Sequence, residues 1–421
     1  MVSINSTQSL PKISKRRATT LGIVFLVFAI AIVILFIPSA EPQQRTTFAL
    51  DVTRGEALPI GSLTFSTTLG LYMMVLLSVF AGAWQLAKGF KHVYVVLSMV
   101  AGFFVLAFLI WAARDQSMNL TGMLQSSLLR AIPITLAALS GVMCERSGVV
   151  NIGIEGMMLA GAFLAALFGS IANNMWVGLF GAMIGGGLMA ALLAVLAIKY
   201  KVDQVIAGTA INILATGLTS YFSSRYLQTN GALNSPPTFR PLPIPLLSKI
   251  PVIGPALFNH TFPVYLTFLL VIAIQGMLYY TRWGLRTRAV GEHPRAADTL
   301  GVNVFKMRYT NVLIGGMVAG LGGAYLVLSS VARFDELMTA GKGFIGLAAM
   351  IFGKWNPIGA FGSSLIFGFA DSLQTKLAIL SVPIPSQFLL MAPYLVTMVV
   401  LAGVVGQSRA PAADGVPYEK E

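Results

Sequence analysis

Long apolar runs separated by short polar gaps dominate the chain. They fall at 18–37, 62–87, 93–112, 120–142, 151–172, 175–198 and 203–225, and resume at 263–281, 309–331, 343–353, 358–374 and 386–406. Most reach the roughly 20 residues that cross about 30 Å of hydrocarbon at about 1.5 Å per residue. The runs are continuous, whereas a transmembrane barrel needs alternating segments of about ten residues. The pattern predicts an all-α fold: a polytopic transmembrane helix bundle of about 11–12 segments, some of them short or broken.

Two runs do not fit a simple span. The stretch 343–353 makes only about 16 Å of helix, and Lys354-Trp355-Asn356-Pro357 interrupts it before 358–374. Two packed short helices and one broken helix both satisfy this pattern. A broken helix is tolerated only where protein or a water-filled cavity covers the freed backbone, and it would move the C-terminus to the other side. The gap 226–262 carries seven prolines, among them Pro236, Pro237, Pro241 and Pro243. It predicts an irregular cap on one face of the membrane.

Composition agrees with a lipid environment: 56% of residues are hydrophobic and 10% charged, against roughly a quarter charged in a soluble domain. The net charge of +13 suggests a nucleic-acid partner only if the cations cluster, and here they are scattered through the gaps. With the N-terminus inside, the inside gaps hold about twice the Lys and Arg of the outside ones. This predicts a multi-pass protein of the cytoplasmic (inner) membrane with its N-terminus cytoplasmic. The basic start at Lys12, Lys15, Arg16 and Arg17 precedes an apolar stretch too long for a signal-peptide core, so 18–37 reads as an uncleaved anchor.

Chemistry-bearing motifs are scarce. Cys144 is the only cysteine and His92, His260 and His293 lie far apart, so neither a disulfide nor a metal site is expected. There is no phosphate-binding loop, H-E-x-x-H or G-x-S-x-G motif. The expectation is no enzymatic activity and no cofactor; any ATP must be bound by another chain.

Two stretches between the runs are informative. TRWGLRTRAVGEHPRAADTLG, residues 281–301, ends in a short punctuated helix: Pro294 suits the first helical position and Gly301 the left-handed cap. At about 10 Å such a helix is marginal in water and must dock, either on its own membrane domain or in a partner's groove. CERSGVVNIGIEGMMLAG, residues 144–161, places Asn151 and Glu155 on one helix face, beside glycines that let another backbone approach. A carboxylate beside the membrane is a functional candidate, with stabilisation of a helix N-terminus as the bland alternative. Asn151, Glu155, Asn212 and Gln275 are candidate pore or substrate-path residues, though helix-packing glue is the simpler single explanation of each. Arg130, costly at a helix centre, should meet water, headgroups or a partner.

The run ERSGVVNIGIEGMM (145–158) resembles the signature of ABC importer permeases of the branched-chain amino acid, ribose and nucleoside group, most of all its nucleoside/simple-sugar subclass. AVGEHPRAADTLGV (289–302) resembles that family's cytoplasmic coupling segment, with His293 where Asn is usual, and GFIGLAAMIFGKWNPIG (343–359) resembles a third family stretch. The resemblance implies a permease core at 113–406, a cytoplasmic tail at 407–421, and an N-terminal extension at 1–112 with about three transmembrane helices. It also implies a permease subunit of an ATP-driven importer of nucleosides or simple sugars, forming half of the pore. The implied partners are cytoplasmic ABC ATPase subunits, a second permease subunit in a heterodimer, an extracytoplasmic substrate-binding lipoprotein, a small polar solute and membrane lipid, with no nucleic acid. Glu292, Pro294, Arg295, Ala296, Ala297 and Gly301 would then dock on the ATPase. The rival is an ion-coupled secondary transporter of small polar solutes, disfavoured because Glu155, Asp203 and Asp371 all fall near predicted segment ends.

Overall fold

The computed structural model describes residues 15–50, 61–380, 391 and 409–420. The expected segment 386–406 and the basic start before Lys15 lie outside the described residues. Among those described, nine helices are long and apolar enough to cross a membrane. The chain forms two compact units, one built mainly from 1–121 and the other mainly from 122–376 with the C-terminal residues.

The first unit contains α1 (Lys15–Leu35), α2 (Thr67–Ala87) and α3 (Val93–Ala112). Phe25, Ala29 and Ile32 form the buried stripe of α1 at helical spacing, while Ile23, Val27, Ile30 and Ile34 remain exposed, as a lipid-facing surface requires. Strand β1 (Arg45–Ala49) pairs antiparallel with β2 (Leu63–Ser66) and parallel with β3 (Ser117–Asn119). Buried Thr46 bonds the Thr67 hydroxyl and the Ile110 carbonyl, both at 2.9 Å, tying this small sheet to α2 and α3.

The second unit begins with α4 (Leu120–Glu145), α5 (Ile154–Ile171), α6 (Met175–Ala194) and α7 (Gln204–Phe222). Asp203 caps α7, accepting from the amides of Val205 and Ile206 at 3.0 Å each. The proline-rich stretch is largely irregular. It holds β4 (Pro241–Pro243), α8 (Ile253–Leu257) and β5 (Asn259–Thr261), and closes on itself as β4 pairs antiparallel with β5. There follow α9 (Phe262–Tyr280), α10 (Arg282–Glu292), α11 (Pro294–Thr299), α12 (Val304–Tyr325), α13 (Lys342–Phe352) and α14 (Pro357–Ile379). At the core α5, α6 and α12 meet backbone to backbone. A Cβ on Gly186 would run into the Gly316 carbonyl and one on Gly320 into the Ala182 carbonyl, so only glycine permits this crossing.

The 343–374 region resolves into two helices with a tight turn between them, where Lys354 and Trp355 adopt positive φ. α13 runs alongside α4 in the same direction: Gly346 abuts Ala137 and Ala138, Met350 abuts Gly141, and the Trp355 indole donates to Glu145 at 2.5 Å. It therefore covers only the half of the bundle nearest Glu145. Chain 332–341 supplies the other half; there the Phe334 amide donates to the Asn234 side-chain oxygen at 2.7 Å and the Phe334 carbonyl accepts from the Asn234 side-chain nitrogen at 2.9 Å. α14 then returns antiparallel to α4, with Ser372 donating to the Met123 carbonyl at 3.2 Å.

Candidate functional site

The end of the second unit at Glu145 gathers both informative stretches. α10 and α11 form a bent pair there. The pattern anticipated only α11; the arginine-rich α10 lacks an apolar run, but Thr281 caps it by accepting from the Gly284 amide at 3.1 Å. α11 has the expected punctuation. Pro294 opens it, the His293 ring accepts from the Ala296 amide at 3.4 Å, and Gly301 follows at φ +81°. The Val302 amide closes the end on the Ala297 carbonyl at 3.0 Å.

Of the six residues expected to face an ATPase, Arg295 and Ala296 are exposed, with Pro294 half-buried. Ala297 points the other way: it is 3% exposed, packed with Val290, Val304, Met307 and Tyr418. The Glu292 side chain, though exposed, accepts from the Ala412 amide at 3.2 Å. Leu300, passed over in the sequence, is 85% exposed at the end of α11. The turn thus splits into an inner residue, Ala297, and an outer ridge of Arg295, Ala296 and Leu300.

The C-terminal residues lie against this same end. The Ala413 amide bonds the Gly291 carbonyl at 2.9 Å, and buried Arg308 donates to the Val416 carbonyl at 3.0 Å. Tyr418 packs on Phe305 with ring centroids 5.4 Å apart, and Lys420 pairs with Asp298 at 3.8 Å. A cleft of about 490 Å³ separates α11 from the tail, between His293 and Arg295 on one wall and Val416 and Pro417 on the other. Burial pushes the Asp414 carboxyl up to about 6, partly opposed by its hydrogen bond to Glu145 and by the Arg308 charge. No composition signal announced this contact, because the tail is short and mixed in charge.

The loop 146–153 links the ridge to the bundle. A Cβ on Gly291 would strike the Arg146 carbonyl, so α10 rests directly on the loop backbone. Arg146 reaches the carbonyls of Trp355 and Lys354 at 2.9 and 3.1 Å, and the Tyr279 hydroxyl at 3.1 Å. The Val150 amide donates to Gln204 at 2.6 Å.

The four expected path residues are held differently. Asn212 accepts from the Gly156 amide at 2.8 Å and donates to the Ile152 carbonyl at 2.9 Å. Asn151 is fully buried, donating to Cys144 sulfur at 3.3 Å and Met157 sulfur at 3.5 Å. Glu155 accepts from the amides of Gly341 and Gly343 at 2.8 and 2.6 Å, capping α13 inside the bundle. These three therefore gather round the start of α5, Asn212 and Glu155 binding backbone and Asn151 side-chain sulfur. Gln275 sits apart on α9 with its side-chain oxygen buried and unpartnered. Two carboxylates lie deeper than their segments predicted. Glu155 is level with the buried start of α13, and Asp371 lies about two turns inside α14, which runs beyond the expected end at 374. Among the described residues, no group of three or more His, Cys, Asp or Glu is placed to hold a metal ion.

Such a bundle, with membrane-length helices, an intramembrane half-helix and a projecting stub at one end, defines a multi-pass membrane protein with the architecture of a transport subunit. Residues 123–405 match the family described as branched-chain amino acid transport system / permease component, and the chain belongs to that family. It is 43% identical over 307 residues to the guanosine ABC transporter permease protein NupQ of Bacillus subtilis (strain 168), covering 70% of this chain and 95% of that protein. It is 42% identical to the nucleoside ABC transporter permease protein NupC of Lactococcus lactis subsp. cremoris (strain MG1363), covering 72% and 99%. The putative glucose ABC transporter permease protein TsgC13 of Haloferax volcanii is 37% identical, covering 61% and 77%. No solved structure matches the chain.

Proposed function

We propose that this chain is the permease subunit of an ATP-driven importer that takes up nucleosides or simple sugars, and that α11 is where a cytoplasmic ATPase grips it. The observation that carries the reading is the outer ridge of α11. It presents Arg295, Ala296 and the 85% exposed Leu300 on a six-residue helix whose other side is anchored in the chain's own core. A helix this short persists only through its packing, so its exposed side is free to bind. The solute class follows the relatives' names, with greater identity to the nucleoside permeases than to the glucose one.

The excess of Lys and Arg in the gaps on the α11 side supports a cytoplasmic position for that side and for the N-terminus. A second permease subunit completes the pore as a heterodimer; α7 leaves Ile206, Ile213 and Tyr221 exposed, a surface for that subunit or for lipid. An extracytoplasmic binding lipoprotein delivers the solute to the opposite end, and no nucleic acid takes part. Residues 1–112 are an N-terminal extension, 113–406 the core and 407–421 a cytoplasmic tail. The start of the family match at 123 supports this division.

The test is uptake of radiolabelled nucleosides and sugars into inverted-control and right-side-out vesicles carrying the complete system. Uptake that needs enclosed ATP and ignores proton and sodium gradients supports the proposal. Uptake by this chain alone, driven by an ion gradient, replaces it with a secondary transporter.

A further inference from the structure

A second site lies in the half of the bundle away from α11. A cavity of about 610 Å³ opens there between α4, the end of α12, α14 and the β4–β5 pair. Its construction starts from a proline. Pro133 lies inside α4 and has no N–H, so the carbonyl one turn earlier, at Leu129, loses its helical partner. The Tyr325 hydroxyl donates to that carbonyl at 2.9 Å, which pins the Tyr325 ring against α4. Leu129, Pro133 and Tyr325 all line the cavity and give it one apolar, partly flat wall.

The facing wall is polar. Arg130 of α4 pairs with Asp371 of α14 at 2.7 Å and donates to the Thr375 hydroxyl at 3.0 Å. The two side chains are 35% and 32% exposed, and charges at this depth persist only where water reaches them. Beyond Tyr325 the helix widens into a π-helical turn, Leu326–Val331, a distortion that recurs at functional sites. Ser329, on that turn, lines the cavity with a buried hydroxyl that has no hydrogen-bond partner. An unmet buried hydroxyl is costly, so this one is suited to water or a ligand group.

We infer that this cavity is a binding station on the import path for a solute that joins vicinal hydroxyls to a flat, weakly polar portion. This deepens, and rests on, the proposed import function. Hydroxyls donate to the free lone pairs of Asp371 and accept from Arg130, while Ser329 completes the set. The flat portion lies on Tyr325 and Pro133. Arg130 and Asp371 offset each other's charge, and Lys342, whose ammonium donates to the Thr339 carbonyl at 3.5 Å, adds a second cation to the lining. The volume suits a solute of this size, since small-molecule pockets span roughly 300–1,000 Å³. None of the residues legible in the sequence as path candidates lines it.

Cys144 is the only cysteine and is buried, so Ser330→Cys, at an exposed position on the same lining, carries a single reachable thiol. The complete transporter with this substitution is treated with a small, membrane-impermeant methanethiosulfonate, and nucleoside uptake is measured. Modification is expected to cut uptake at least tenfold. Saturating nucleoside, delivered by the binding protein, should slow modification several-fold. Unchanged uptake after modification, or no protection by nucleoside, overturns the cavity assignment. If Ser330→Cys does not assemble, Ser126→Cys on the α4 wall decides by the same two readings. An unmodified transporter that imports neither nucleoside nor sugar overturns the import reading and the cavity together. Normal uptake insensitive to modification overturns the cavity alone.

Discussion

The carboxylate of Glu155 caps α13 at Gly343, accepting that amide at 2.6 Å and the Gly341 amide at 2.8 Å. Glu155 heads α5, one turn beyond the loop on which α10 rests at Arg146. A push on α11 therefore has a contiguous route: Gly291 to the Arg146 backbone, along 146–153, and through Glu155 into a half-helix whose N-terminus ends inside the bundle.

Glu155→Ala should leave two amides at the start of α13 without partners, at about 1–3 kcal/mol. The expected outcome is a lower melting temperature in detergent and loss of uptake with ATP hydrolysis retained, while Glu155→Gln, which keeps an acceptor, restores part of both. An alanine variant that melts and transports like the parent would show that the cap carries nothing.

The glycine crossing of α6 and α12 makes a steric prediction. Gly320→Ala sets a methyl against the Ala182 backbone and should abolish folded protein in the membrane, whereas Gly217, with open space around it, should accept alanine silently. Fluorescence size-exclusion profiles of the two variants compare them directly. Equal monodisperse yields would mean that α6 and α12 do not meet this closely.

Tail docking should depend on pH. The Asp414 carboxyl rises from 3.8 free to about 6 when docked, beside Glu145, Arg308 and Tyr418. The docked tail thus holds a proton that the free tail releases. Its contribution is complete below about 3.8 and fades as pH climbs through about 6. Hydrogen-exchange protection of 411–418, corrected for intrinsic rates, should be greater at pH 5.5 than at pH 8, and Asp414→Asn should flatten the difference. Protection that increases with pH would reverse the sign and refute the assignment.

The sequence was most readable where physics is local. Apolar run length located the spans, and Pro294 and Gly301 bracketed α11 because a fixed φ and a left-handed cap are single-residue properties. The turn at 353–356 was legible as an interruption, but choosing between two helices and one broken helix needed the Glu145–Trp355 contact, over two hundred residues apart in sequence. Facing was harder. Ala297 and Leu300 are both small-helix apolar residues, and only the packing of Val290, Val304 and Tyr418 reveals which is inside. Among the polar path candidates, Asn212 is recruited by backbone beside a glycine-rich turn, accepting from the Gly156 amide. The Arg130–Asp371 pair joins elements far apart in the chain, so nothing local announces it.

The grip on α11 is tested most directly by copurification of the ATPase subunits with the permease, alongside ATP-dependent uptake, in Leu300→Asp and Ala296→Asp. Both positions are exposed, so both variants should reach the membrane folded, with parental melting behaviour. The account predicts that the ATPase is lost from the purified complex, or hydrolyses ATP without uptake, in either variant. Full retention of the ATPase together with parental uptake in both would contradict it.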